Sequence, residues 1–546
     1  MTDYKQVYTC HDATDNIIRQ PQYLAPLRTL PAADASSNAF ATVSVTEAAA
    51  ASKVRIFFKE GSTWTFVDET RKFTAAQLKA GLELGIDGRD VRTPGVWDGK
   101  ATINFSIVDG TQTSTDTVQL RVAPYLTHHT EQLAQRSFVS NKADAHMLKF
   151  NEEFTEHNNN AGLPQPPTVL PGFDIWVQDF FEPGYASIPG PNGPIVIRIM
   201  AQSYQTRTSS NGVFTDLRND KVGAIGFPQV WDEPWRGTDT YDSTGNIETI
   251  PPYTHNGKSY PAGRIIVGEG SLKPAILPFL QAQEVQDPII LDVSWLRVGH
   301  VDEFIQFLPA NSSRGWVVMV DDPIAGLAVL KDASAAGHGT TRAVSRPIYS
   351  YDPSERGWMP PCVPKSSIDY ELARAGMERI NQYAAEKIEH NLDIIKRETG
   401  ITDDEIFRVP GVVYNTGPWS CGISGGARVA SSKSMQDDGE LVENDILRAG
   451  GGKNNPLERR QSVEQVRAHY PAAINGVVLS DSYYLSPNPW GPVIDGVDIF
   501  AKAIEDAYAQ VDYSVHFIDT WYTHHWGSGE VHCGTNVWRE TTGQWW

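Results

Sequence analysis

The spacing of hydrophobic residues changes near Ala123-Pro124, and that change constrains the fold more than any other feature. Before it, apolar residues alternate or are β-branched. Ala41-Thr42-Val43-Ser44-Val45, Val54-Arg55-Ile56-Phe57-Phe58, Thr63-Trp64-Thr65-Phe66-Val67, Ala101 to Ile107 and Val118 to Val122 all read as strands. Turn residues such as Asp109-Gly110 separate them, and Thr74 to Lys79 reads as one short helix. An antiparallel β-sandwich of about 100 residues accounts for this spacing.

From Tyr125 onward strands and helices mix, so the chain as a whole is α+β. Ile195 to Ile197, Ile265 to Val267, Trp316 to Val320 and Gly476 to Leu479 are short apolar strands. Leu372, Ala375, Ile380, Tyr383, Ile388, Leu392 and Ile395 recur at helical spacing, which predicts one long helix over Ser367 to Glu398, ended by Gly400. Thr402 and Glu405 then form a capping box, and Pro189 to Pro194 is a loop. The domains expected are 1–124, a sandwich, and 125–546, a mixed domain.

Composition excludes several classes. The 46 basic against 66 acidic residues give a net charge of −20, which repels nucleic acid and favours basic partners. No apolar run approaches the roughly 20 residues of a membrane span, and Met1 to Gln6 opens no signal peptide, so a cytoplasmic protein without membrane contact is expected. Cysteines at 10, 362, 421 and 533 make neither a CxxC pair nor a disulfide framework.

Several motifs are decoys. Gly422-Ile423-Ser424-Gly425-Gly426 lacks the strand a nucleophile elbow needs, and Gly450-Gly451-Gly452-Lys453 lacks the P-loop spacing. His128-His129 and His524-His525 are adjacent pairs whose side chains diverge on a strand, and Asn311-Ser312-Ser313 is a glycosylation triplet of a kind common by chance.

Three segments carry chemistry. In Val298-Gly299-His300-Val301-Asp302-Glu303-Phe304, an extended backbone would aim His300 and Asp302 the same way. In Gly529-Glu530-Val531-His532-Cys533-Gly534-Thr535-Asn536, polar neighbours suggest a thiol that substrate can reach. In Asp174-Ile175-Trp176-Val177-Gln178-Asp179, an extended chain would point Asp179 one way and Gln178 and Glu182 the other. Two carboxylates suppress a thiolate, which argues against a protease. They suit a cation with many N–H donors, and guanidinium is that cation.

These segments resemble the peptidylarginine deiminases, of the guanidino-group-modifying (pentein) superfamily. Weaker agreement includes Gly245-Asn246-Ile247-Glu248, Tyr260 to Ile265, Gly337-His338-Gly339 and Gly491 to Gly496. The resemblance implies a five-bladed α/β propeller over 125–546, and Leu84 to Pro124 looks like the family's immunoglobulin-like middle domain. It implies that Cys533 attacks the guanidinium carbon and His300 serves as acid and base. Asp179 and Asp302 would hold the guanidinium nitrogens, with Trp176 flanking the side chain. Trp176, Val298 and Arg207 would bind substrate, with Arg207, ahead of Arg218 in the same stretch Gln205 to Asn219, reading backbone carbonyls at the pocket mouth.

The chemistry implied needs no cofactor. Calcium-activated members use the residues matching Gln178, Glu182 and Glu248, with carbonyls near Thr244 and Ile247, so the resemblance leaves two readings of these residues, one Ca²⁺ site or a plain hydrogen-bond cluster. A second site loses its acids to Phe180 and Arg198. Arg198 is expected to tether acidic loop residues in place of a metal, and turnover is expected to be independent of calcium. The partners implied are arginine-containing peptides or proteins. Two alternatives stay open: a deiminase or amidinotransferase for a small free guanidine such as arginine or agmatine, and a non-catalytic binder of basic partners.

Overall fold

The computed structural model describes residues 13–227, 239–352, 363–415, 465–541 and 543–546. The Met1 to Gln6 opening, Cys10, Cys362, Cys421, the Gly422 to Gly426 run and the Gly450 to Lys453 run lie outside the described residues.

The alternating segments form eight strands: β1 (Ala25–Arg28), β2 (Phe40–Val45), β3 (Val54–Glu60), β4 (Thr63–Phe66), β5 (Phe73–Thr74), β6 (Glu83–Gly88), β7 (Lys100–Asp109) and β8 (Gln112–Arg121). They pair antiparallel in two sheets of four, in the orders β1-β6-β3-β4 and β5-β2-β7-β8. Period-two residues from both sheets meet in one core. Ala41, Val43 and Ile103 come from one sheet and Ile56, Phe58, Leu84 and Ile86 from the other. Each large apolar side chain buried this way contributes about 1.5–3 kcal/mol. The short helix Ala75–Ala80 begins at Thr74 in a capping box with Gln77.

Five further sheets follow, each with three or four strands. They share a pattern, in which one antiparallel pair extends into a parallel pair. The strand pairs are Ala134–Ser140 with Asn536–Arg539, Phe181–Ile188 with Ile195–Gln202, Ile247–Ile250 with Arg264–Glu269, Ile305–Pro309 with Trp316–Asp322, and Val477–Val478 with Tyr483–Pro487. Parallel neighbours are added at Thr168–Leu170, Val222–Ile225, Ile289–Asp292, Ile406–Pro410 and Ser514–Ile518. The first of the five sheets joins Ala134–Ser140 to Asn536–Arg539, so the two ends of this half of the chain share a sheet.

The long helical pattern resolves into two helices, Ile368–Leu372 and Met377–Thr399. Gly376 causes the break, because its φ of +78° lies in the left-handed region that ends a helix. The second helix buries Ile380, Ala384, Ile388, Leu392 and Ile395 and stops at Gly400, φ +71°. Thr402 and Glu405 cap a short 3-10 turn as expected. Among the described residues, no helix is long and apolar enough to cross a membrane.

Candidate active site

Asp179, Asp302 and Cys533 each sit on a short turn that leads into a strand of one of these five sheets, and His300 caps one. Asp179 ends the 3-10 turn Val177–Asp179, two residues before the strand Phe181–Ile188. Thr244–Asn246 leads into Ile247–Ile250, which carries Glu248. His300 caps the turn Val301–Glu303 ahead of Ile305–Pro309. Cys533 lies on the turn Val531–Gly534 ahead of Asn536–Arg539.

The extended backbone expected at His300 and Asp302 holds at His300 (φ −108°, ψ 148°) but gives way to a 3-10 turn at Asp302. Glu303 makes it so: its Oε1 accepts the backbone N–H of Gly299 and of His300, both at 2.9 Å. Burial, with Asp302 nearby, pushes the Glu303 carboxyl up to about 8. Gly299, at φ +87°, allows the approach. The His300 ring donates from Nε2 to the carbonyl of Thr240 at 2.9 Å.

Asp302 is buried. Its Oδ2 accepts from His532 Nδ1 at 2.8 Å and from the Cys533 thiol at 3.4 Å. Burial opposes its charge, but the His532 hydrogen bond and the charges of His532 and His300 hold its carboxyl below the usual range. Cys533 is 5% exposed. Burial, then the charges of Asp302 and Asp179, push its pKa well up, so the resting group is the thiol. Nδ1 of His300 and Oδ1 of Asp302 are buried without a hydrogen-bond partner. Buried polar atoms without partners are costly, and a ligand rich in N–H donors would satisfy the Asp302 oxygen.

Asp179 also sits on a turn where an extended strand was expected, yet it and Gln178 still diverge. Asp179 Oδ1 accepts from Ser243 Oγ, while Oδ2 accepts from Arg207 Nη2 at 2.8 Å. Gln178 donates to Glu182 Oε2 at 3.3 Å. Arg207 lies inside the pocket, bridging Asp174 and Asp179 at 2.8 Å each, and burial alone would lower its pKa but these acids keep it raised. Gly245 separates the two halves of the pocket. A Cβ there would lie 2.7 Å from His300 Nδ1 and 2.8 Å from Asp179 Oδ1. Trp176 packs over the nucleophile loop, where a Cβ on Gly527 or Gly529 would meet its ring at 2.4 and 2.5 Å. The Val298 carbonyl accepts from Thr240 Oγ1.

Behind the pocket, burial raises the pKa of both Glu182 and Glu248; the charge of Glu248 raises Glu182 further, and the charge of Asp302 raises Glu248. His532 Nε2 lies 3.2 Å from Glu248, and Arg539 opposes the charge of both acids. Arg198 does not tether acidic loops. It donates to the Arg539 carbonyl at 2.7 Å and to Gln135 Oε1 at 2.7 Å, and stacks 4.4 Å from the Trp538 ring. Its register sets it across from Tyr185, and the carbonyl and carboxamide oxygens it reaches there are neutral. His128 contacts Gln132, and His525 contacts Glu530, while His524 packs on the Phe150 and Trp176 rings.

A buried thiol, an imidazole and paired carboxylates are what nucleophilic chemistry on a cation requires. That class is narrowed by comparison. The family model described as protein-arginine deiminase (PAD) matches residues 112–546, and the chain belongs to this family. It is 28% identical over 468 residues to human protein-arginine deiminase type-1, covering 82% of this chain and 60% of that protein. It is 28% identical over 443 residues to human type-3, covering 79% of this chain and 56% of that one. Against mouse type-4 it is 28% identical over 448 residues, again 79% and 56%. The chain thus spans about three fifths of the length of these relatives.

Proposed function

We propose that the protein hydrolyses peptidyl-arginine to peptidyl-citrulline and ammonia. The observation that carries this is the convergence of Cys533, His300, Asp302 and Asp179 on one buried pocket in a chain of this family. A guanidinium entering between Asp179 and Asp302 takes the place of the Arg207 guanidinium on Asp179 and neutralises the two charges that suppress the thiol. Cys533 then gives its proton to His300, whose Nδ1 has no hydrogen-bond partner, and forms its thiolate with substrate bound. The sulfur adds to the guanidinium carbon, His300 gives a proton to the departing ammonia, and a thiouronium remains on Cys533. His300 next takes a proton from water, the hydroxyl adds to the same carbon, and the thiolate leaves citrulline behind. Trp176 and Val298 flank the arginine stem. Arg207, displaced from Asp179, is placed to meet backbone carbonyls at the mouth.

The five like-patterned sheets support a five-bladed α/β propeller over 125–546, with the shared first and last sheet closing the ring. The two sheets over 25–121 support an immunoglobulin-like domain within 1–124. Gln178, Glu182 and Glu248 fit one hard cation, since all offer oxygen, Gln178 donates to Glu182, and the charge of Glu248 bears on the buried Glu182. Such an ion would supply positive charge behind the pocket. The steps above use none of it, and His532 and Arg539 already oppose the two acids. The test is citrulline release from a blocked arginine peptide against free arginine, with Cys533→Ala as the blank. Turnover of the peptide is expected; equal activity in the alanine variant, or turnover of free arginine alone, overturns the reading.

A further inference from the structure

Four of the five sheets present site residues from the turn ahead of a strand: Asp179, Ser243 with Gly245, His300 with Asp302, and Cys533. The fifth sheet has the same turn. Residues 472–475 lead into Val477–Val478, and the residue presented there is Asn475, which is 2% exposed. Sequence reading assigned it nothing.

The turns touch one another in a ring. Val177–Asp179 touches Thr244–Asn246, which touches Val301–Glu303, and Val531–Gly534 touches Val177–Asp179 again. Asn475 closes the one remaining gap. Its Nδ2 donates to the Asp302 carbonyl at 3.1 Å, and its Oδ1 accepts the Cys533 N–H at 3.3 Å. Its own carbonyl accepts the His532 N–H at 3.1 Å. The turn is fixed at its other end, where Ala472 N–H donates to Glu530 Oε1 at 3.3 Å. Glu530 is held in turn by Thr520 and His525. Gly476 leaves no room for adjustment, because a Cβ there would lie 2.5 Å from the Leu485 carbonyl oxygen.

We propose that Asn475 is a positioning residue that fixes the Cys533 thiol against the Asp302 carboxylate. A carboxamide is suited to this task, since it donates to one turn and accepts from the other with a single side chain. It reaches neither the thiol nor the pocket, so it acts through the backbones of Asp302 and Cys533. A displacement of about 1 Å between reacting groups can cost about a hundredfold in rate.

This inference rests on the deiminase reading, and the experiment separates the two. Asn475→Ala and the shape-matched Asn475→Asp are compared with wild type in turnover and in alkylation of Cys533. One reagent is an arginine-like haloamidine, which needs the carboxylates and the thiol aligned; the other is iodoacetamide, which does not. Expected for Asn475→Ala is a kcat lower by about 10–100-fold with KM within about twofold. Haloamidine alkylation should fall at least about tenfold relative to iodoacetamide. Asn475→Asp keeps the acceptor for Cys533 N–H and loses the donor to Asp302, so it shows the same split, and it decides the matter if the alanine variant does not fold. A kcat within about twofold of wild type, or equal changes in both alkylation rates, overturns the positioning role alone. Wild type that neither makes citrulline nor prefers the haloamidine overturns the deiminase reading and takes this proposal with it.

Discussion

Replacing Asp302 with Asn tests the pocket most directly. The carboxylate is buried, its Oδ2 is held by His532 and the Cys533 thiol, and its Oδ1 has no partner. In the proposed complex that oxygen receives a guanidinium N–H. A unit charge pair at about 4 Å is worth about 4 kcal/mol at an effective dielectric of about 20, and truncating one member of a buried charged pair costs about 2–5 kcal/mol. About 3 kcal/mol corresponds to a fall in kcat/KM of about a hundredfold or slightly more. The same change removes the acid that, ahead of Asp179 and Glu303, raises the thiol pKa most. Iodoacetamide, which is neutral, should therefore alkylate Cys533 faster in Asp302→Asn than in wild type at pH 7. Citrulline release from a blocked arginine ester and the alkylation rate are measured on the same preparation, with the thermal midpoint as a check on folding. Near-normal turnover together with slower alkylation would refute the assignment of Asp302 to both roles.

Gly245→Ala places a methyl group between His300 Nδ1 and Asp179 Oδ1, so kcat/KM for arginine substrates should fall at least about tenfold with little loss of stability, measured by steady-state kinetics and thermal melts. Arg207→Ala should lower kcat/KM for peptides at least about tenfold while changing a blocked single arginine by less than about threefold; equal loss on both would remove Arg207 from peptide recognition. Calcium at millimolar concentration should raise the thermal midpoint of wild type but not of Glu248→Gln, and turnover in excess chelator should stay within about a hundredfold of that with calcium. Burial holds His524 down to about 3, whereas the unfolded residue binds a proton near 6.5. The unfolded state then takes up more protons as pH falls from 6.5 to about 4, so wild type should lose about 1.4 kcal/mol per pH unit relative to His524→Leu over that window, read from denaturant titrations.

Much of the fold was legible because strand and helix signals are local. Period-two alternation placed the sandwich strands, and Thr74, Gly400 and Thr402 marked helix ends through contacts no more than four residues away. Gly376 was legible only as a glycine; its left-handed φ, which splits the expected helix, follows from where the two pieces pack. The residue types proposed for the site lie in three short runs, and the structure brings Cys533 to Asp302 and His300 to Asp179. What the runs could not supply was anything set by distant neighbours. The burial of Cys533, the seat of Arg207 on Asp179 and the neutral surroundings of Arg198 each depend on strands brought together by sheet pairing. Asn475 is the clearest case. It lies 173 positions from Asp302 and 58 from Cys533, in a stretch with no motif. Only the packing of the turns ahead of these sheets brings its carboxamide between them, because hydrogen bonds are decided by distances of about 3 Å, and sequence spacing carries none of that once the chain has crossed from one sheet to the next.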